Sequence, residues 1–318
     1  MEEKDESKFN TEHVIPRSFG VFENNLVLKC VCKKCNDLFG SEFDEKLARD
    51  SIEAPERVRA GLKEASKFQT RGKRSTLQVR INEEGPLKGA YAFYVPGGDE
   101  RSLNITLAPQ VGFAESAEGP FEWFLLDDIP TKDELTAQGY GRDTVARSEG
   151  CSIERAQEVL EARGYARGTM EAKYQHANTE MLSKTLAQIG ELDFRAISKI
   201  AFNYFAATQT AGIARMPEFN DIRRFIRYGI PVAERLVEVR TDPGTIERAS
   251  DGTAARGHYL TVQTSGHRII AQVSLLLRLR YVVTLSRTAF VIPYSPVSAH
   301  FFDLDTRRPA LINPPPLF

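Results

Sequence analysis

The stretch from Phe9 to Leu47 constrains this chain more than any other segment, because acidic, imidazole, amide and thiol side chains are concentrated there. Two short apolar runs begin at Val14 and Leu26, and Pro, Ser and Gly residues lie between them. From Lys33 to Arg49, apolar residues then recur with a helical period. The pattern predicts two short β segments joined by a loop and followed by a helix, which is a ββα unit.

The polar residues of this unit are of the types that general-base and metal-ion chemistry requires. A neutral imidazole takes a proton from water near neutral pH and so generates a nucleophile. Carboxylate and amide oxygens are the ligands that a hard divalent cation such as Mg²⁺ prefers. Each motif alone is weak, since an acid-histidine pair is usually a surface accident and Cys-x-x-Cys is often a redox pair, half a zinc site or two core thiols. The motifs, in chain order, are Glu12-His13, Asn25 and Cys32-x-x-Cys35-Asn36.

At these residues the sequence resembles the HNH endonuclease family, whose ββα-metal motif has an acid-histidine pair, a loop asparagine and a Cys-x-x-Cys-His/Asn step. The resemblance runs from Thr11 to Leu47. It implies that His13 is the general base and that Asn25 orders the loop through backbone hydrogen bonds, which fix the imidazole. It also implies that Glu12 and Asn36 hold Mg²⁺ or another divalent cation.

The cysteines depart from the family pattern. Relatives often have an earlier Cys-x-x-Cys pair, which completes a four-thiolate zinc site, whereas the residues before His13 include no cysteine. Cys30, Cys32 and Cys35 remain candidate ligands of a structural Zn²⁺ whose fourth ligand would come from elsewhere. Asn36 stands where many relatives have His, and this exchange favours Mg²⁺ over transition metals.

A basic segment follows the ββα unit. Next to the motif it is a candidate phosphate-binding surface, each contact adding salt-dependent affinity; the alternative is a solvated linker. The residues concerned are Arg57, Arg59, Lys63, Lys67, Arg71, Lys73 and Arg74. We therefore expect a nuclease domain at residues 1–56, a basic linker at 57–75 and an accessory domain at 76–318, for substrate recognition, regulation or oligomerisation.

The rest of the chain predicts an α+β fold, in which the small ββα unit is followed by a larger mixed α+β domain with a mainly antiparallel sheet. Helices are expected at residues 131–150, 152–163, 191–208 and about 217–229. A hairpin around Ser265-Gly266 is expected further on, with His258 and His267 as surface histidines. One antiparallel sheet is expected to contain Leu77–Ile81, Ala90–Val95, Leu103–Leu107 and Phe121–Leu126.

Composition limits the setting. The net charge of −1 gives no overall positive field, so attraction to nucleic acid must come from local patches. The sequence contains no apolar run of roughly 18 residues, and the first residues have no signal-peptide pattern, so we expect a cytoplasmic protein without a membrane partner. Four cysteines, three of them between Cys30 and Cys35, do not form a disulfide framework.

These features predict a metal-dependent endonuclease that hydrolyses DNA phosphodiesters. One ββα site cuts one strand, so nicking is the expected product unless the protein forms a homodimer. RNA is not excluded as substrate. The resemblance permits a setting in bacterial phage defence or mobile-element biology, with partner proteins of a defence system. The alternative is a nucleic-acid-binding or regulatory protein whose degenerate ββα unit does not cut.

Overall fold

The computed structural model describes residues 9–68, 75–141, 143–167, 182–232, 234–242, 255–288 and 298–312. The strands are β1 Phe9–His13, β2 Val27–Cys32, β3 Leu77–Ile81, β4 Tyr91–Pro96, β5 Leu103–Leu107, β6 Gln110–Ala114, β7 Glu122–Leu125, β8 Val145–Glu149, β9 Ser183–Ala187, β10 Val237–Arg240, β11 Gly257–Ser265, β12 Arg268–Ser274, β13 Arg280–Ser286, β14 Ser298–Asp303 and β15 Arg308–Leu311. The α-helices are α1 Lys33–Leu38, α2 Glu45–Arg49, α3 Glu53–Arg59, α4 Lys132–Ala137, α5 Ile153–Ala162, α6 Glu191–Thr208, α7 Ala211–Ala214 and α8 Asn220–Tyr228.

The chain forms two compact units, and the first is discontinuous in sequence. Residues 1–67 join residues 189–318 in one unit, and residues 68–188 form the other. The predicted accessory region 76–318 is thus divided between the units. The physical reason is that the ββα segment shares one hydrophobic core with α6 and the sheet strands, in which Phe43 and Ile197 are fully buried.

The predicted ββα unit is confirmed. Strands β1 and β2 pair antiparallel, with His13 opposite Val27. The predicted helix from Lys33 to Arg49 is present as α1 and α2, joined by a π-helical turn at Phe39–Asp44. The stacked rings of Phe39 and Phe43, with centroids 5.5 Å apart, lie within this turn. The turn brings Asp44 close to α6.

The core of the first unit is α6 packed on an antiparallel sheet. The sheet has six strands in the order β10-β13-β12-β11-β14-β15, and α6 contacts β11, β12 and β13. Residues Ile197, Ile200 and Tyr204 recur at helical spacing and are fully buried. The predicted hairpin at Ser265-Gly266 is confirmed, as is the end of α8 at Gly229, whose φ of 65° suits a residue without Cβ.

The second unit corrects two predictions. Its strands form two sheets, β5-β4-β3-β9 and β7-β6-β8, so β7 is not in the same sheet as β3, β4 and β5. The predicted helix at 131–150 ends at Ala137, and Val145–Glu149 is strand β8, paired with β6. Gly139, with φ of 101°, ends the helical path. The α+β class itself is confirmed.

The first unit also corrects the prediction for His258, which is fully buried. Its Nδ1 accepts a hydrogen bond from the Leu276 N–H at 3.0 Å, so the neutral ring carries its proton on Nε2 and donates to the Phe19 carbonyl at 2.7 Å. Burial lowers the pKa of His258 to about 4. The imidazole therefore ties the loop after β1 to the large sheet. His267 is exposed, as predicted.

No helix in the described ranges is long and apolar enough to span a membrane.

The buried His258 predicts a pH-dependent stability. Its folded pKa lies below the usual 6.5, so the unfolded chain binds the proton more readily and stability is lost as the pH falls from 6.5 towards about 4. The loss attributable to this residue is roughly 3 kcal/mol at most. We compare the free energy of unfolding of the wild type with that of His258→Gln. The difference, wild type minus variant, should fall by up to this amount as the pH is lowered from 6.5 towards about 4. Urea denaturation across this pH range measures it, and a constant difference would contradict the assignment.

Candidate functional site

The β1-β2 hairpin brings His13 and Asn25 together. The Asn25 amide nitrogen Nδ2 lies 3.3 Å from His13 Nδ1, so Asn25 contacts the imidazole itself, rather than the backbone as predicted. Asn25 Oδ1 is buried and has no hydrogen-bond partner in the described part of the chain. A half-turn of the amide group places Oδ1 against Nδ1, where it accepts a hydrogen bond from Nδ1–H. That tautomer leaves the Nε2 lone pair free to take a proton.

The surroundings of His13 favour the neutral form of its imidazole by lowering its pKa. The ring is half-buried, and burial lowers its pKa, with further lowering by the positive charges of Arg17 and Lys199. A neutral ring near neutral pH accepts a proton from water, which is what a general base requires.

Glu12, adjacent to His13, is turned towards α6. Its side chain is only 7% exposed, and its Oε1 lies 2.6 Å from the Lys199 ammonium. The Asn203 amide donates to the same oxygen at 3.1 Å. Oε2 receives no hydrogen bond from any residue that the structure describes. Burial raises the pKa of Glu12, and the Lys199 ammonium opposes that rise.

Lys199 connects Glu12 to the helical part of the ββα unit. Its Nζ also lies 2.9 Å from Asp44 Oδ1, in the π-helical turn. Burial opposes the charge on Lys199, but Asp44 and Glu12 raise its pKa above the usual value, so the ammonium persists. The three side chains carry a net charge of −1, from two carboxylates and one ammonium. That residual charge favours a cation nearby.

The sequence predicts a helix at residues 191–208 but assigns no functional role to Lys199 or Asn203. They lie four residues apart and so share one face of the helix. Both are buried among apolar residues. Because buried polar side chains need partners, two of them at this spacing are a signal of a polar partner elsewhere in the chain.

Asn36 lies at the other side of the site, on α1. Its Nδ2 donates to the Thr11 carbonyl at 3.4 Å, which places the amide beside the residue that precedes Glu12. Asn36 Oδ1 has no hydrogen-bond partner in the described ranges. Glu12 Oε2 and Asn36 Oδ1 are oxygen donors of the type that Mg²⁺ prefers, and Mg²⁺ keeps several waters and takes few protein ligands. Among the described residues, no group of three or more His, Cys, Asp or Glu side chains is arranged to hold a metal.

The cysteines of the ββα unit are thiols rather than disulfides. Cys30 is exposed, and Cys32 and Cys35 are half-buried. Among the described residues, these cysteines belong to no group of three or more His, Cys, Asp or Glu side chains that could hold a metal ion. Zinc binding by these three cysteines stays a prediction.

Arg57 is not available to bind phosphate and corrects the prediction for this residue. It lies in α3, is only 7% exposed and donates from Nε to the Ser18 carbonyl at 2.7 Å. A second bond runs from its Nη1 to the Ala48 carbonyl. Burial lowers the pKa of Arg57 to about 10, so it stays charged at neutral pH. The guanidinium thus holds the loop after β1 against α2.

The other basic residues fall into three groups. Arg59 pairs with Glu56 and Lys67 with Glu64, each at 2.6 Å on the surface. Lys63 is partly exposed. Three further predicted contacts lie outside the described residues; these are Arg71, Lys73 and Arg74. Arg59, Lys63 and Lys67 thus remain accessible for contact with nucleic acid.

Comparison with known proteins locates the family resemblance. Residues 1–52 match the sequence model described as HNH endonuclease. No curated protein and no solved structure matches the chain. The matched range contains β1, β2, α1 and α2, together with His13, Asn25, Glu12 and Asn36. Domains of this family act on nucleic acid and use a divalent metal. Residues 1–52 thus match the family of HNH endonucleases, which are hydrolases.

Proposed function

We propose that this protein is a Mg²⁺-dependent endonuclease that cuts one strand of DNA, with His13 as general base. The observation that carries the proposal is the contact between Asn25 and His13 Nδ1 at 3.3 Å. Glu12, the residue before His13 on β1, has a carboxylate oxygen that receives no hydrogen bond from the described residues. The contact supports a fixed tautomer, and the free oxygen supports a cation site. Both fall inside the HNH endonuclease match.

His13 performs the proton transfer in this proposal. Nε2 removes a proton from a water molecule as the water oxygen attacks phosphorus, and the bond from phosphorus to the leaving oxygen breaks. Asn25 holds Nδ1, which fixes the ring direction and leaves the Nε2 lone pair free to accept a proton. Half-burial of His13 limits the protonated fraction of the ring.

Glu12 and Asn36 would hold the divalent cation through Oε2 and Oδ1. When bound, Mg²⁺ supplies charge stabilisation at the leaving oxygen of the phosphodiester. The absence of a thiolate or imidazole from this donor pair favours Mg²⁺ over softer metals. Zinc, if held by Cys30, Cys32 and Cys35, would have a structural role, and metal analysis of the purified protein decides this separately.

DNA is the proposed substrate, and RNA is the comparison that the assay must include. Arg59, Lys63 and Lys67 are proposed phosphate contacts at the exit of the ββα unit, while Arg57 is excluded by its burial. A single site favours nicking, and a homodimer would cut both strands. Phage defence or mobile-element biology, with a partner from such a system, is the setting that the family resemblance permits.

The alternative function is nucleic-acid binding without cleavage. It is favoured by the ion pair of Glu12 with Lys199, which occupies one oxygen of a predicted metal ligand. A protein of this kind would bind DNA in EDTA and produce no scission with Mg²⁺, Mn²⁺ or Ca²⁺. DNA binding in EDTA and strand scission with divalent cations, both followed on gels, therefore distinguish the two functions.

Replacing His13 by Ala should lower the rate of plasmid nicking by about 10²-fold or more, because general-base catalysis contributes roughly 10²- to 10⁴-fold. Conversion of supercoiled to open-circular plasmid with Mg²⁺ measures the rate. His267→Ala is the matched control, since His267 is an exposed histidine of the same compact unit. Wild-type cutting by His13→Ala, unaffected by removal of metal, would contradict the assignment.

Replacing Asn25 by Asp should move the acidic limb of the pH-rate profile to higher pH. A carboxylate beside the ring stabilises the imidazolium, which cannot act as a base, whereas the wild-type ring has a lowered pKa and stays active below its usual 6.5. Nicking rates at saturating Mg²⁺ from about pH 5 to 8 show the limb. An unchanged limb would mean that Asn25 does not act on the imidazole.

A further inference from the structure

The Glu12 carboxylate is held asymmetrically. Lys199 Nζ and Asn203 Nδ2 both bind Oε1, at 2.6 and 3.1 Å. Oε2 receives no bond from the described residues. A carboxylate fixed through one oxygen cannot rotate freely, so its second oxygen keeps one direction. The arrangement leaves a single oxygen of Glu12 for an external partner.

We propose that Asn203 is a positioning residue for the metal site, acting through Glu12. The inference rests on the proposed function, in which Glu12 Oε2 is a ligand of the divalent cation. Hydrogen bonds that orient a metal ligand lower the cost of ordering it and typically contribute roughly 10- to 100-fold in metal affinity. The Asn203 side chain is well placed for this, because it is only 5% exposed and its amide is aimed at Oε1.

Lys199 also binds Oε1 of Glu12, but it has a second partner. Its ammonium also binds both oxygens of Asp44, at 2.9 and 3.2 Å. Removing it would leave the buried Glu12 and the partly exposed Asp44 without their cation, which destabilises the fold. Asn203 is neutral, and its only described side-chain bond is the one to Glu12. Replacing Asn203 therefore tests the positioning of Glu12 without changing the charge of the site.

The proposal extends the nuclease site beyond the HNH match. Asn203 lies 191 residues after Glu12 along the chain, and the match ends at residue 52. Helix α6 would thus be part of the metal site, as well as the core helix of its unit. A merely structural role for Asn203 would change the stability of the protein and leave its metal affinity alone.

The test is a Mn²⁺ titration of the full-length protein without nucleic acid, followed by electron paramagnetic resonance of the free ion. Asn203→Leu and Asn203→Ala both remove the amide donor. The leucine side chain fills the space that the amide occupied, whereas alanine leaves it empty. An effect common to both belongs to the lost hydrogen bond. Ser198→Ala is the matched control, because Ser198 lies on α6, is fully buried and has no hydrogen bond from its Oγ in the described part of the chain.

Both Asn203 variants should raise the Mn²⁺ dissociation constant by about 10-fold, as expected for loss of a bond that orients a ligand. Ser198→Ala should bind as the wild type does. In nicking assays the half-saturating Mg²⁺ concentration should rise by the same factor, with the rate at saturating Mg²⁺ within about 3-fold of wild type.

Glu12→Gln distinguishes the two proposals. If it binds Mn²⁺ as tightly as wild type, the proposed metal role of Glu12 is wrong. If Glu12→Gln loses Mn²⁺ binding while both Asn203 variants bind normally, the proposed function stands and the positioning role is overturned. If both Asn203 variants are unfolded by circular dichroism while Ser198→Ala is folded, Asn203 serves the fold instead, and the positioning role is likewise rejected.

Discussion

The buried ammonium of Lys199 is the interaction on which the rest of the structure depends. It is fully buried, 2.6 Å from Glu12 on β1 and 2.9 Å from Asp44 in the π-helical turn. A buried charge is tolerated only when it is paired, so β1, the turn and α6 must assemble together. This requirement adds to the shared hydrophobic core, which joins residues 1–67 and 189–318 in one compact unit.

The same interaction orders the proposed catalytic site. Lys199 and Asn203 take one oxygen of Glu12, while the adjacent His13 is set by Asn25. Relatives often use four thiolates and zinc to hold the hairpin to the helix. In this chain polar contacts with the later part of the sequence hold the unit: Lys199 to Asp44, His258 to Phe19, and Tyr281 to Glu53 at 2.9 Å.

The sequence predicted the structural features that depend on residues close together in the chain. The ββα unit followed from apolar spacing. The direct contact of Asn25 with the imidazole of His13 did not, because hydrogen bonds to the backbone were expected for Asn25. The partners of Glu12 did not either, since they lie 187 and 191 residues away and periodicity identifies a buried face without its contacts. The predictions for Arg57 and His258 were wrong because the partners of both side chains are backbone groups, which no sequence motif marks. The helix predicted at 131–150 failed at Gly139, where tertiary pairing of β8 replaced helical continuation.

A double-mutant cycle of Lys199→Met and Asp44→Asn tests most directly whether this buried ammonium joins the two parts of the chain. Lys199→Met alone leaves two carboxylates unpaired, whereas the double variant removes one of those charges. The free energies of unfolding, from urea denaturation, should therefore be non-additive, with a coupling of roughly 1–3 kcal/mol. Additive effects would show that Lys199 does not bind the helical part of the HNH domain to α6, and would contradict the account.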